Sequence, residues 1–223
     1  MQKKINNHQK NLKGFLSAKE INHLMNEVFS KMLKYSDKKS IIYKNKKIDF
    51  LLNRSKFDKE YNKIKKNKNW NKFYESLKNL KSYRKIIIPK SKKYFQEIFG
   101  KKCKIVNSQI RVIEKNDKRN YPIHQEIIKN KKNLLTFWIA MHKIKKKEGG
   151  LLISKSIPNK KIKHYKNNMG YTYLPNQSEW KKKCFEKSFQ AGEACVLGQN
   201  IPHGTASKSI NNPRWAVIIR TTF

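Results

Sequence analysis

Ile201–Phe223 reads IPHGTASKSINNPRWAVIIRTTF, and the rest of the chain is interpreted outward from it. One histidine, His203, sits in a Pro-His-Gly stretch expected to turn between two strands. Eleven residues later Arg214 opens an apolar run, Trp215–Ile219, that reads as a core strand. An arginine heading such a strand is costly unless its charge is partnered, and its planar fork suits a carboxylate held bidentately. The plainer alternative is an arginine that caps the strand end or pairs with Glu193.

A second stretch answers the first. YPIHQE, Tyr121–Glu126, places His124 and Glu126 two residues apart. On an extended backbone such residues project to the same side, so both can reach one ion. With His203 they make two imidazoles and one carboxylate with open positions left over. Non-haem Fe(II) sites use that set, and a hydrolytic zinc site can use it too. H-x-E with a distant histidine is a weak signal alone; the Arg214 strand strengthens it.

Around these stretches the texture divides near Gly100. Residues 1–13 are polar and expected to fray. Ser17 and Glu20 form a capping-box pattern, and Ile21, Leu24, Val28 and Met32 follow at helical spacing, predicting a helix over 18–33. Trp70–Leu80 has a helical apolar face, Ile86–Ile88 reads as a short strand, and Tyr94–Phe99 as a short helix ended by Gly100. Residues 35–68 give no clear assignment. Beyond Gly100, strands are expected at 104–106, 109–114, 134–141, 151–154, 194–197 and 214–222, with turns at Asn116–Asn120 and Lys145–Gly150. A lysine-rich excursion fills 155–188. Helices first and short strands later predict an α+β chain with a β-sandwich or barrel, read as one domain over 1–223.

Composition narrows the classes. The chain has 223 residues, 37% hydrophobic, with eleven Phe, ten Tyr and four Trp, enough aromatic area to build a core. No run approaches the roughly 20 apolar residues of a membrane span. The N-terminus lacks the apolar segment of a secretory signal. Three cysteines without metal-type spacing fit a reducing compartment, and a cytoplasmic protein is expected. The formal charge is +38, from 53 basic and 15 acidic residues. Abundant Lys, Asn and Ile mark compositional bias, although the scarcity of acids exceeds what that explains. Only six of the 53 are arginine, the preferred residue for phosphate and base forks. Bias with a generally basic surface is therefore favoured over dedicated nucleic-acid binding.

The succession HQE, LTFWIAM, EGGLLIS, GEACVL, PHGT and NNPR resembles the phytanoyl-CoA dioxygenase-like family of Fe(II)/2-oxoglutarate-dependent oxygenases over Gln109–Phe223. The resemblance implies a double-stranded β-helix, a squashed jelly roll. Residues 101–223 would form this core and 1–100 its mainly helical support. It implies Fe(II) on His124, Glu126 and His203, with 2-oxoglutarate bound by Arg214 and Thr205 and O2 as the second cosubstrate. Tyr121 and Gln109 are softer cosubstrate candidates; Arg111 and Gln125 belong with the pocket wall. The implied reaction couples decarboxylation of 2-oxoglutarate to succinate with hydroxylation of a C–H bond. Its substrate would be a small molecule or carbohydrate-type compound, an anionic one included. The family more often has aspartate at the Glu126 position. Its usual motif after the Gly-Gly-Leu turn is blurred to Ser154–Pro158, so the resemblance carries no substrate identity.

Trp138 is expected to pack in the core, with contact to substrate as the alternative. His142 and His164 are read as surface or loop residues. Arg220 lies six residues after Arg214, on the same face of a strand, a separation also found in nucleic-acid dealkylating oxygenases. An oxygenase acting on nucleic acid therefore stands as the second reading, and a non-enzymatic basic nucleic-acid-binding protein as the third.

Overall fold

The computed structural model describes residues 2–36, 47–114, 122–168, 170–206 and 212–223. The Ile41–Tyr43 island, the Asn116–Asn120 turn and Tyr121 lie outside them. The fold is α+β and double-stranded β-helical, as expected. A five-stranded antiparallel sheet runs β1 (Gln9–Leu12), β8 (Ala194–Gly198), β3 (Leu135–Ala140), β10 (Arg214–Thr222), β2 (Lys104–Ile113). A three-stranded sheet runs β7 (Cys184–Lys187), β4 (Leu151–Ser154), β9 (His203–Thr205). A ribbon of β5 (Tyr165–Lys166) and β6 (Thr172–Tyr173) stands apart.

The large sheet is buried on both faces, which is why its central strands read as continuous apolar runs. Leu135, Phe137 and Ile139 of β3, Trp215, Val217 and Ile219 of β10, and Ile110 and Val112 of β2 face the helices. Alternate residues, including Trp138, Ala140, Cys195, Leu197 and Ala216, pack with Leu151 and Ile153 of the small sheet. Strand periodicity thus puts Arg214 and Arg220 on the face between the sheets.

Helix α2 (Ala18–Tyr35) begins with the predicted capping box: Ser17 Oγ accepts from Glu20 N, and the Glu20 side chain accepts from Ser17 N. Helix α3 (Arg54–Lys65) fills the segment the sequence leaves unassigned. Its Phe57 and Tyr61 pack edge-on to Trp215, at centroid distances of 5.1 and 4.8 Å, and Asp58 accepts from the indole N–H at 2.9 Å. The residue after Arg214 is thereby clamped. Helix α4 (Trp70–Ser76) continues as a 3-10 turn, Leu77–Asn79.

Several expectations are corrected. Ile86–Ile88 is not a strand: a π-helical turn, Tyr83–Ile87, runs into helix α5 (Ile88–Phe99). Leu80, Tyr83 and Ile87 are buried at helical spacing, and Pro89 occupies a first-turn position where its missing N–H costs nothing. Gly100 ends α5 in the left-handed conformation, as expected. The two strands expected over 104–114 are one bulged strand, its register against β10 shifting between Arg220 and Thr221. The described residues 2–13 are not frayed. Helix α1 (Gln2–Asn6) leads into β1, which pairs with β8, and Ile5 is fully buried. The 155–188 excursion contains helix α6 (Gln177–Lys183) and ends in a strand of the small sheet.

Candidate metal centre

His203 lies in strand β9 rather than in a turn. The segment around His124 lies beside that strand and makes a reciprocal backbone pair: His124 N donates to His203 O and His203 N donates to His124 O, both at 2.9 Å. Residues directly opposite in an antiparallel pair share a face. The two imidazoles therefore stand side by side, centroids 4.6 Å apart, and Glu126 returns to the same face two residues on. One ligand-type atom from each of His124, Glu126 and His203 lies within 4.8 Å of the others.

Both histidines are oriented alike. Each Nδ1 lies against the carbonyl oxygen two residues earlier, His124 on Pro122 at 2.8 Å and His203 on Ile201 at 2.9 Å. A carbonyl only accepts, so each Nδ1 carries the proton and each Nε2 presents a lone pair to the centre. Burial first, then the neighbouring His203, pushes the His124 pKa down to about 4, keeping the imidazole in the neutral form a metal requires. Burial alone would raise the Glu126 carboxyl, but the Arg220 guanidinium and the two histidines outweigh it and hold the group well below the usual carboxylate range. Arg220 Nε donates to Glu126 Oε2 at 2.7 Å; Oε1 faces the histidines, 3.5 Å from His203 Nε2. With its amide oxygen turned toward the guanidinium donors, Gln109 accepts from Arg220 Nη1 at 2.9 Å and from Arg111 Nε at 3.3 Å. Two neutral imidazoles and a buried, ionised carboxylate oxygen with no well-formed hydrogen bond suit a divalent ion such as Fe(II) or Zn(II).

A pocket between the sheets runs from this triad to Arg214. Trp138, Thr136, Thr205, Leu151 and Arg111 line it with Arg220. Arg214 is 3% exposed, its Nε donates to Gly149 O at 2.7 Å, and its guanidinium lies 5.2 Å from the centre of the Trp138 ring. Glu193 is not its partner: that carboxylate caps Gln190 N at 2.8 Å. Trp138 packs between the sheets, as expected, and also lines the pocket. A second, more open cavity of about 360 Å3 adjoins the triad, lined by Asn107, Gln109, Arg111, Tyr171 and Thr172 among others.

Gln125 is not at the pocket wall. Fully buried, it points the opposite way from His124 and Glu126: its Oε1 accepts from Ile162 N at 2.8 Å and its Nε2 donates to Asn200 O at 2.9 Å. Its backbone N–H donates to His164 Nε2 at 2.9 Å, so His164 is a structural acceptor. His142 lies in the loop after β3, as one of the two expectations had it, but is buried, and its Nε2 accepts from Trp215 N at 3.1 Å. Sequence reasoning missed Thr136, whose buried hydroxyl has no hydrogen-bond partner among the described residues. Period-2 counting from Trp138 would have put it on the pocket face.

No family model and no curated protein sequence matches the chain. Solved structures do resemble it. The non-heme monooxygenase ThoJ aligns at TM-score 0.61 and 9% identity, covering 99% of this chain and 75% of that one. The epimerase SnoN, solved with Fe3+, alpha ketoglutarate and nogalamycin RO, aligns at 0.61 and 10%, covering 99% and 80%. SnoK, a non-heme alpha ketoglutarate dependent carbocyclase from nogalamycin biosynthesis, aligns at 0.62 and 11%, covering 98% and 81%. At such identities the likeness concerns the fold. Among the described residues no helix is long and apolar enough to cross a membrane.

Proposed function

We propose that the chain, taken as one oxygenase domain, is an Fe(II)- and 2-oxoglutarate-dependent dioxygenase that hydroxylates a C–H bond of a small molecule. The observation that carries this reading is the convergence of the two inward-facing Nε2 atoms with the Glu126 carboxylate at one end of a pocket that has Arg214 at the other. The reading is supported by the fold shared with SnoN, solved with Fe3+ and alpha ketoglutarate, and with the non-heme alpha ketoglutarate dependent SnoK.

In this reading His124, Glu126 and His203 would hold the iron. Bound iron with 2-oxoglutarate supplies the oxidising power; the chain supplies position and exclusion of water. Arg214 takes the distal carboxylate of 2-oxoglutarate in its fork, with Thr205 as a hydroxyl donor. Trp138 and Gly149 fix that fork. Arg220, with Gln109 behind it, keeps Glu126 ionised and aimed at the ion. Tyr121 remains a further cosubstrate contact in this proposal.

Anaerobic titration with Fe(II) and 2-oxoglutarate should give a cosubstrate-dependent absorbance, and oxygen should then release succinate. His124→Ala or His203→Ala should abolish substrate-free 2-oxoglutarate turnover. Wild-type-like turnover in either variant would sink the assignment.

A further inference from the structure

Where β2 begins and β10 finishes, a groove of about 870 Å3 opens at the end of the main sheet. Six lysines line it: Lys104, Lys129, Lys131, Lys132, Lys160 and Lys161. Among the described residues no acid lines the groove, and no carboxylate pairs with any of the six. Asp37 and Asp117, outside the described residues, and the carboxylate of Phe223 are three anions against six lysines. The groove therefore keeps a surplus of at least three positive charges wherever those anions lie.

The lysines stand on backbone that is tied down. Lys131 N donates to Ile128 O at 3.1 Å, Thr222 Oγ1 to Lys132 O at 2.6 Å, and Gln125 Nε2 to Lys160 O at 3.4 Å. Asn130 and Asn133 take the left-handed conformation that folds their loop into a turn. The walls are thus set before a ligand arrives, which lowers the cost of binding one. Asn133, Asn159 and Gln199 add neutral amides to the same walls.

Ile127 and Ile128 line this groove and also the cavity beside His124 and Glu126, so the two spaces meet at that pair. Several ammonium point charges suit a ligand that presents several anionic oxygens over a short span, as a diphosphate does and a lone carboxylate does not. The volume lies within the roughly 300–1,000 Å3 of small-molecule sites. A single-stranded nucleic acid would call for aromatic stacking platforms. Among the described lining residues only Phe223 is aromatic, and Lys101 already lies over its ring at 4.8 Å.

We propose that this groove is a diphosphate subsite and that the substrate is a small molecule carrying a diphosphate, its reacting part passing Ile127 and Ile128 toward the triad. The ligand's role as substrate rests on the proposed function above; the binding of a diphosphate does not.

Calorimetric titration of the full, metal-free chain at fixed ionic strength tests the subsite, with pyrophosphate, UDP-glucose, uridine and a short oligothymidylate as probes. Pyrophosphate and UDP-glucose should saturate at one per chain, and uridine should bind at least about tenfold more weakly. Lys131→Gln combined with Lys160→Gln should weaken both anions about tenfold or more. Lys59 and Lys72 are exposed on α3 and α4, outside the groove. Lys59→Gln combined with Lys72→Gln removes the same charge and should cost no more than about twofold. Equal losses in the two double variants would reduce the binding to the basic surface at large and overturn the proposal. Oligothymidylate saturating the chain where pyrophosphate does not would assign the groove to nucleic acid and overturn it too. Phosphorus NMR reads the distance to the triad: UDP-glucose signals should broaden on chain loaded with Co(II) rather than Zn(II), and the groove variant should abolish the broadening. Signals that stay sharp, or that broaden equally in that variant, overturn the substrate role. A chain that binds pyrophosphate and takes up no metal overturns the proposed function and leaves the subsite standing; one that takes up metal and not pyrophosphate overturns this inference alone.

Discussion

Glu126 and His124 make the centre sensitive to acid, and both in the same direction. The His124 pKa falls from an ordinary 6.5 to about 4 on folding. Between those values the unfolded chain holds a proton that the folded chain does not, so stability rises with pH there and falls on acidification. Glu126 is ionised in the folded state well below its ordinary 4.5; its contribution is present above that value and lost as pH drops further. The melting temperature of chelated protein should therefore fall between pH 7 and pH 4.5, and His124→Asn should flatten the part of that slope above pH 4.5. Metal binding should weaken over the same range because protons compete for the same atoms. Arg220 is the residue that counters burial at Glu126. Arg220→Gln should lower affinity for Co(II), read by its absorption, about 10–100-fold, and move the acid edge of binding to higher pH.

Among the elements, β1 has the most to explain. A short polar segment, QKNL, carries almost no strand signal, yet it covers the β8 edge of the main sheet. Backbone supplies the reason: Gly198 N donates to His8 O at 2.7 Å and Asn200 N to Asn6 O at 2.8 Å. These bonds need close approach. A Cβ on Gly198 would stand 2.2 Å from Ile5 O and 2.5 Å from Asn6 O, so Gly198→Ala should cost roughly 1–3 kcal/mol in urea unfolding, much of it by prising β1 off. The strands that were legible, β3, β4, β8 and β10, are those whose own side chains meet a core. Those that were not, β1 and the β9 strand bearing His203, are defined by partners distant in sequence. The Ile86–Ile88 error has a similar origin: β-branched residues were read by propensity, whereas Leu80, Tyr83 and Ile87 pack at helical spacing.

At the scale of the whole molecule, the α+β class, and the approach of His124, Glu126 and His203 to one another, were legible because a period-2 pattern and an H-x-E spacing are local. Sequence reading could not see Gln109 and Arg220 converging on Glu126, nor Thr136 in the pocket, since those contacts join separate strands. It also could not see the 155–188 segment as part of the body, because apart from the β7 pairing with β4 its attachments include separate hydrogen bonds from residue types that otherwise read as loop. Gln125 makes several of them. Sitting between two ligand-type residues, it fastens Ile162, Lys160 and Asn200 from the reverse side of the same three-residue stretch. Whatever steadies His124 and Glu126 thus also steadies a segment rich in trypsin sites, among them Lys160, Lys161 and Lys163. Chelation should speed tryptic nicking there and Co(II) should slow it, with Gln125→Ala cut quickly in either state. Protease would then read metal occupancy from the far side of the strand.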